Sequence, residues 1–401
     1  MQVKNKSLPK TIVAWLLRLI LILSVVTSAV ILWAYLSTDT SLIARGIMWG
    51  DSDAGDLYRF PTRLMRASLE PIEFVAGDEE MQNAIASVPI YNEEIGVANM
   101  PLDEYLAHTN TTAFIVLHRD QLMYEGYFNG ADRATIQTSF SAAKSFTSTL
   151  VGIAFHDGYI LNLDDPITNY LPELLDRDPR FENITIRHLI MMKSGLRWER
   201  DDSNPFSDDF VTYYSPDLRK TALNSEIVEA SGQRFIYNDY NPLLVGMILE
   251  RATGMSVAEY METRLWQPMG AEGDGSWSLD SEQSGFEKMF VGVNGRAIDL
   301  AKLGWLFLNN GRNGDTQVVP APWISEVTEL ETTTDNFSYR HYWWIDEKRK
   351  MYFAEGDKCQ FIYVYPQAEL VIARFGIDCG GTGFSDLIPN VALWIEAQFN
   401  K

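Results

Sequence analysis

Residues 138–146 read TSFSAAKSF, and the apolar sequence that follows predicts a single helix as far as His156. Within this stretch, Ser141 and Lys144 are three positions apart, and residues three apart on a helix share one face. The lysine ammonium can therefore reach the serine hydroxyl, which needs a neighbouring base or positive charge to act as a nucleophile. Ser-x-x-Lys is common by chance, so these residues are also consistent with a polar helix start and a solvated lysine.

The composition is that of a chain that can bury a large core. It has 401 residues, of which 46% are hydrophobic, enough for one large domain or two smaller ones. Its formal net charge of -21 argues against binding a nucleic-acid backbone or an anionic lipid surface over most of the protein, because like charges repel. We therefore predict no nucleic-acid partner, and the oligomeric state stays open.

The N-terminal stretch has the pattern of a membrane helix. Lysines are frequent in the first ten positions, and residues 11–36 are almost wholly apolar, with Arg18 as their only charge. This length suits a helix that crosses a bilayer, and the basic side normally stays in the cytoplasm. We predict a cytoplasmic tail at 1–10, a transmembrane anchor at 11–36 and a juxtamembrane stalk at 37–70. The rest would then lie on the periplasmic or extracellular side of the cytoplasmic membrane.

A cleaved signal peptide is the alternative interpretation of the same residues. Its nearest small-residue cleavage site is Thr27-Ser28-Ala29, but more apolar sequence follows that site, and the apolar run is long for a signal peptide. Both interpretations export the rest of the chain.

The two cysteines, Cys359 and Cys379, flank a predicted β-hairpin made of residues 361–365 and 370–375. An exported chain can oxidise them. The sequence does not show whether their backbones meet in a register that permits a disulfide, so that question stays open.

The remaining patterns predict a sheet built from both ends of the exported part. Residues 112–128 read as a hairpin, and residues 342–375 read as successive antiparallel strands. Helices are predicted at 242–253, 297–309 and 385–399. We expect one domain at 71–401 with a helical insertion at about 157–260, and a cleft where sheet and insertion meet.

Four further blocks, in order along the chain, accompany the Ser141–Lys144 pair. They are TIRHLIMMKSGL at 185–196, FIYNDYN at 235–241, GSWSLD at 275–280 and RAIDLAKLG at 296–304. Together they resemble the serine β-lactamase-like hydrolases and penicillin-binding proteins, in the branch that contains class C β-lactamases, esterases and 6-aminohexanoate-dimer hydrolases. The resemblance spans roughly residues 57–399.

This resemblance implies an α/β (α+β) fold of the serine β-lactamase/DD-peptidase type. An antiparallel sheet flanked by helices would face a mostly helical region, with the site between them. It also implies a serine hydrolase that cleaves an ester or amide through an acyl-enzyme on Ser141, assisted by Lys144 and Tyr237. Which of the latter two is the base is left open. The alternative is a non-catalytic envelope protein of the same fold that binds a peptide or glycan.

Two positions depart from the family's pattern. Asp239 stands where the family has an asparagine, so an ionised acceptor replaces an amide that both donates and accepts. It would place a negative charge near Lys144 and disfavour anionic substrates.

Trp344 can line the substrate cleft or pack in the core.

The second departure is the segment Gly356-Asp357-Lys358-Cys359-Gln360, where the family carries a Lys/His-x-Gly triplet. Asp357 stands at the expected cation and Cys359 at the expected glycine, although Lys358 can supply the missing charge. A regular strand would direct Lys358 to the other face. By the resemblance, the backbone N–H of Gln360 would join that of Ser141 as an oxyanion hole.

We predict no metal and no cofactor. The histidines show no H-x-H or H-E-x-x-H spacing; they are His108, His118, His156, His188 and His341. There is also no G-x-S-x-G sequence to anchor an α/β-hydrolase triad.

Overall fold

The structure is a computed structural model that describes residues 10–93, 95–201, 204–329, 337–381 and 383–399. The predicted cytoplasmic tail lies outside the described residues except for Lys10, which begins the first helix.

The helices and strands are numbered in chain order. The helices are α1 Lys10–Leu36, α2 Leu42–Trp49, α3 Asp56–Arg59, α4 Glu79–Ala86, α5 Leu102–His108, α6 Ala143–His156, α7 Glu173–Arg177, α8 Ile186–Ile190, α9 Asp208–Tyr214, α10 Leu218–Leu223, α11 Tyr240–Thr253, α12 Val257–Met261, α13 Ala297–Leu308, α14 Ala321–Thr328 and α15 Phe384–Phe399. The strands are β1 Thr62–Met65, β2 Val75–Ala76, β3 Pro89–Asn92, β4 Val97–Pro101, β5 Thr111–His118, β6 Gln121–Tyr127, β7 Ile136–Thr138, β8 Gly275–Ser278, β9 Val293–Arg296, β10 Arg312–Asn313, β11 Thr316–Gln317, β12 Phe337–Arg340, β13 Trp343–Asp346, β14 Met351–Gly356, β15 Gln360–Tyr365 and β16 Leu370–Gly376.

The main sheet joins strands from both ends of the part of the chain that follows α1, as the sequence predicts. Its order is β12-β13-β14-β15-β16-β5-β6-β2, and its pairs are antiparallel except for the short β2–β6 pair. The two predicted hairpins are the pairs β5–β6 and β15–β16. Both predicted hairpins are therefore confirmed.

The two faces of this sheet are covered by different helices. Along β15, Ile362 and Val364 point into the core cluster shared with α6 and α13, whereas Phe361 and Tyr363 point into the cluster shared with α15. This alternation is the period of two that a strand imposes on its side chains. Gly304 lets α13 approach closely, because a Cβ there would lie 2.8 Å from both Ile362 Cγ2 and Val371 Cγ1.

A mostly helical region, α6 to α12, lies between the strands that come from the two ends of the chain. A four-stranded sheet of order β1-β8-β9-β7 adjoins it, and β7 leads directly into the Ser141 turn. An antiparallel sheet flanked by helices therefore lies beside a mostly helical region, which is the arrangement that the sequence predicts.

The chain between the first helix and residue 70 is folded onto the rest of the protein. Its strand β1 pairs antiparallel with β8, and Leu64 lies opposite Ser276. Helix α2 also contacts α9 through Gly46 and Phe210. The domain boundary at residue 70 stays a prediction, although β1, which precedes it, belongs to the sheet.

Helix α1 is exposed along nearly its whole length. Its most apolar stretch has a mean hydropathy of 2.5, and among the described residues it alone is long and apolar enough to cross a membrane. An N-terminal signal sequence meets the same criteria.

Candidate active site

Ser141 occupies a tight turn between β7 and α6. It lies in a 3₁₀ turn, Phe140–Ala142, rather than inside the α-helix, and its side chain is half-buried. The preceding Phe140 has φ of 43°, a left-handed conformation that costs a residue with a Cβ of order 1 kcal/mol or more. The turn is tied to β9, because Ser139 N donates to Val293 O (2.9 Å) and Val293 N donates to Ser139 Oγ (3.1 Å).

Lys144 extends from the first turn of α6 to the serine. Its ammonium is buried, with 1% of the residue exposed. Nζ donates to Ser141 Oγ at 3.1 Å and to the backbone oxygen of Phe290 at 3.2 Å, and it lies 2.9 Å from Asp239 Oδ1. The structure therefore brings the predicted Ser–Lys pair into hydrogen-bonding contact.

The charges around Lys144 determine its protonation. Burial is the largest single influence and lowers the pKa of Lys144, but the negative charge of Asp239 and the electrostatic influence of Tyr237 oppose it, and the net effect raises the pKa above its ordinary value. Hydrogen bonds from Lys144 to both partners act in the same direction. Lys144 is therefore an ammonium at neutral pH.

Tyr237 and Asp239 come from the loop that enters α11. The loop is fixed at both ends, since Ile236 N donates to Met192 O at 2.8 Å and Asn241 N donates to Asn238 Oδ1 at 3.1 Å. The Tyr237 ring lies 4.6 Å from Lys144 Nζ, close enough for a cation–π contact. Ser141, Lys144, Tyr237 and Asp239 thus form one cluster.

Trp344 lies beside this cluster on strand β13. Its ring stacks on Tyr237 at a centroid distance of 6.3 Å and meets Tyr339 edge-on at 4.7 Å. Tyr339 also contacts Phe235, whose side chain is exposed. These rings form an aromatic wall (Phe235, Tyr237, Tyr339 and Trp344) along one side of the site. Neither Tyr339 nor Phe235 was predicted from the sequence to line the site. In the structure, Tyr339 lies opposite Trp344 across β12 and β13.

The segment after β14 turns sharply at the site. Gly356 abuts the nucleophile turn, because a Cβ there would lie 2.1 Å from Ser139 O and 3.1 Å from Ser141 N. Asp357–Cys359 then form a 3₁₀ turn instead of continuing a regular strand, with left-handed φ of 59° at Lys358 and 61° at Cys359. Lys358 Nζ lies 3.7 Å from the carboxylate of Asp357, so Lys358 partly neutralises the charge that Asp357 brings to this turn.

A disulfide holds this turn. Cys359 and Cys379 are bonded across 20 positions, with their Cα atoms 5.3 Å apart, which answers the question that the sequence leaves open. Arg374 supports the same turn, since its Nη1 donates to Lys358 O at 2.9 Å and to Cys359 O at 3.0 Å. The turn is therefore tied to β16 and the segment after it.

The side chain of Gln360 is engaged in the sheet. It is buried, its Nε2 donates to Lys358 O and Gly376 O at 2.9 Å each, and its Oε1 accepts from Gly376 N at 3.0 Å. Gln360 pairs with Gly356 across β15 and β14. Its backbone N–H as an oxyanion donor stays a prediction, while the residue that lies against Ser141 N is Gly356.

Among the described residues there is no group of three or more histidines, cysteines or carboxylates that could hold a metal ion. The cluster offers instead a hydroxyl, an ammonium, a phenol and a carboxylate. This set can carry nucleophilic acyl transfer, in which a positioned base and a positive charge activate a hydroxyl.

The chain is similar to known proteins over much of its length. The beta-lactamase family model matches residues 102–375. The 6-aminohexanoate-dimer hydrolase of Paenarthrobacter ureafaciens is 26% identical over 314 residues, which cover 73% of this chain and 79% of that protein. A beta-lactamase of Escherichia coli K12 is 32% identical over 139 residues, or 34% of each chain.

Solved structures show the same fold. A Bacillus anthracis protein proposed to be a 6-aminohexanoate-dimer hydrolase superposes with a TM-score of 0.73 at 22% identity, covering 85% of this chain and 92% of that one. A class C beta-lactamase variant gives a TM-score of 0.56 at 14% identity, covering 80% and 97%. Because the family model spans well over half of its residues, this chain belongs to the beta-lactamase family of serine hydrolases.

Proposed function

We propose that this protein cleaves an ester or amide bond through an acyl-enzyme on Ser141. The observation that carries the proposal is the buried Lys144 ammonium, which contacts the Ser141 hydroxyl, the Asp239 carboxylate and the Tyr237 phenol together. A buried charge needs partners, and here one of the partners is a hydroxyl at an accessible turn. This arrangement supports an activated nucleophile better than a solvated surface lysine.

The raised pKa of Lys144 indicates different catalytic roles for Lys144 and Tyr237. An ammonium donates hydrogen bonds and cannot accept a proton, so we assign Lys144 to charge stabilisation and the Tyr237 oxygen to proton transfer. Ser141 Oγ would bond to the substrate carbonyl carbon while its proton passes to the Tyr237 oxygen, which would have released its own phenolic proton to solvent beforehand. Lys144 as the base is the alternative, but it would first have to lose a proton that Asp239 stabilises.

The remaining steps follow from proton balance. Collapse of the tetrahedral intermediate breaks the bond to the leaving alcohol or amine, which takes the proton from Tyr237. Water then attacks the acyl-enzyme, gives its proton to the Tyr237 oxygen and releases the acid, and Ser141 recovers its hydroxyl proton. The N–H of Ser141, with that of Gln360 as the predicted second donor, would stabilise the oxyanion.

The charges beside Ser141 favour some substrates over others. Asp239 and Asp357 are each paired with a lysine, Lys144 and Lys358 respectively, and the aromatic wall adds apolar surface. We infer neutral or cationic acyl substrates rather than carboxylate-bearing β-lactams. A carboxylate would lose its hydration beside lysines whose charge is already compensated, so its desolvation would gain little in return.

We also propose that α1 anchors the enzyme in the cytoplasmic membrane, with the catalytic part on the periplasmic or extracellular side. The support is the length, exposure and apolar composition of α1, together with the basic residues that precede it. A cleaved signal sequence would export the same catalytic part without tethering it.

A second candidate function is a binding protein of the envelope that keeps the fold without turnover. The observation that favours it is the altered 357–359 turn, which stands at the site with a disulfide at its end. It would bind a peptide or glycan in the cleft.

Ester and amide turnover distinguishes the two candidates. The purified full chain and its Ser141→Ala variant are given p-nitrophenyl esters with neutral or carboxylate-bearing acyl groups, the linear dimer of 6-aminohexanoate and a cephalosporin. We expect Ser141-dependent turnover of the neutral esters. Turnover that is equal in both proteins would overturn the proposal, and a marked preference for the cephalosporin would overturn the inferred substrate class.

A further inference from the structure

A second buried lysine, Lys288, lies beside the site in the loop between β8 and β9. Only 1% of the residue is exposed. Its Nζ donates to the backbone oxygen of Tyr213, and it lies 3.8 Å from the ring centroid of Phe60 and 4.3 Å from that of Tyr213. No motif in the sequence indicates this lysine.

Lys288 is two residues before Phe290, and Phe290 contacts Lys144, the lysine that bonds to Ser141. Its Nζ is 5.5 Å from the ring centroid of Phe290, and Lys144 Nζ lies 5.5 Å from the same centroid. The backbone oxygen of Phe290 accepts the hydrogen bond from Lys144 that accompanies its bond to Ser141. A shift of the Lys288–Phe290 segment would therefore move an acceptor that holds Lys144 in place.

Some of the residues that position Lys288 precede the region that matches the family model. Phe60, whose ring it contacts, and Asp56, which accepts a hydrogen bond from the Tyr213 hydroxyl, precede residue 102. Arg45 donates to the oxygens of Tyr214 and Ser215 at 3.2 and 3.3 Å. Lys288 and Arg45 thus occupy the C-terminal end of α9, where carbonyls lack helical partners and cations are stabilised.

Keeping an amine in this place is costly. Burial, followed by the positive charge of Arg45, lowers the pKa of Lys288 to about 7, although the carboxylates of Asp56, Asp280 and Asp239 oppose the shift. A hydrophobic side chain of similar length would avoid the desolvation penalty. Residues that contradict a simple stability rule often do so at functional sites.

We propose that Lys288 is a positioning residue of the active site, which fixes the Phe290 carbonyl so that Lys144 stays in contact with Ser141. The segment Arg45–Phe60 would then form part of the active-site support. This inference rests on the proposed function, because it assigns Lys288 a role only through the Ser141 nucleophile.

The test measures how fast a fluorophosphonate phosphonylates Ser141 in the full chain, a reaction in which Ser141 Oγ bonds to phosphorus and fluoride leaves. Lys288→Met removes the amine and keeps the length, Lys288→Arg keeps a donor, and Phe60→Leu loosens the aromatic contact. Lys302→Met is the matched control, since Lys302 is equally buried but bonds to Gly270 O, Glu272 and Asp299. The melting temperature is recorded for every variant, and all rates are taken well below it.

We expect Lys288→Met to slow labelling about tenfold or more, because small displacements of catalytic groups have large effects on rate. Lys288→Arg should recover part of the loss and Phe60→Leu should show a smaller loss. The wild-type rate should show an inflection near pH 7 that Lys288→Met lacks. Lys302→Met should lower the melting temperature and leave the rate unchanged.

A Lys288→Met protein that labels at the wild-type rate with the same pH profile would overturn the inference while leaving the proposed function intact. If Lys288→Met does not fold, Phe60→Leu decides, and an unchanged rate there overturns the inference as well. A folded wild type that never labels would overturn the proposed function and this inference with it.

Discussion

The Lys144 ammonium lies 2.9 Å from the Asp239 carboxylate, nearer than its 3.1 Å hydrogen bond to the Ser141 hydroxyl. The lysine that contacts the Ser141 hydroxyl therefore has its charge already compensated by a carboxylate. The pKa of Lys144 is raised for this reason, despite complete burial, and the ammonium persists where an unpaired buried lysine would lose its proton.

Replacing Asp239 with asparagine keeps the shape of the side chain and removes its charge. The pKa of Lys144 should fall, because burial lowers it and the charge of Asp239, which raises it, is removed. If the ammonium is the active form, the alkaline limb of the rate profile moves to lower pH. The measurement is the labelling rate from about pH 6 to about pH 10. A higher rate at neutral pH would instead identify Lys144 as the base.

Replacing Tyr237 with phenylalanine separates the ring from the hydroxyl. The ring contacts with Lys144 and Trp344 remain, so the melting temperature should change little. Loss of proton transfer should reduce the acylation rate by about 10²–10⁴-fold. Ester hydrolysis with the melting temperature as control measures both. An active Tyr237→Phe protein would show that the phenol oxygen takes no part in proton transfer.

The residues of the site illustrate how much the sequence could predict. Ser141, Lys144 and Tyr237 lie in short sequence blocks that resemble those of the family, and the hairpins follow from β-rich runs on either side of a turn. The Asp357–Cys359 turn was not predictable, because its left-handed φ values at Lys358 and Cys359 belong to residues that rarely adopt them. The position of Ser141 in a 3₁₀ turn was equally invisible in the helical pattern.

Contacts between distant parts of the chain were also beyond sequence reasoning. Lys288 contacts both Phe60 and Phe290, although Phe60 is more than two hundred positions away in sequence. Residues 37–70 show no periodicity that predicts β1 or α2. Tertiary contacts of this kind follow from shape and burial rather than from local propensity.

The Cys359–Cys379 disulfide should support both stability and activity. Replacing both cysteines with alanine should lower the free energy of unfolding by about 3 kcal/mol. It should also slow ester hydrolysis, because the 357–359 turn begins next to Gly356, which lies against Ser141 N. Denaturant unfolding and hydrolysis rates measure the two effects. The wild type should respond to dithiothreitol and the double variant should not. Equal activity in both would mean that the disulfide acts on stability alone.

Lys288 predicts a dependence of stability on pH. Its pKa is lowered to about 7 in the folded protein, whereas an exposed lysine titrates near about 10.4. Between these values the unfolded chain binds more protons, so the free energy of unfolding should rise as pH increases from about 7 to about 10, and this contribution is lost as pH falls through about 7. Denaturant unfolding at both ends of the range, compared with Lys288→Met, isolates the effect. An identical pH slope in the variant would contradict the lowered pKa.

Covalent labelling of Ser141 tests the account most directly. The full chain is treated with a fluorophosphonate, digested, and its labelled peptide identified by mass spectrometry, with Ser141→Ala and Lys144→Met treated in parallel. The account predicts one adduct on Ser141 in the wild type, none in Ser141→Ala and little in Lys144→Met. A folded wild type without an adduct, whether its cysteines are oxidised or reduced, would contradict an activated Ser141 and favour the binding-protein alternative.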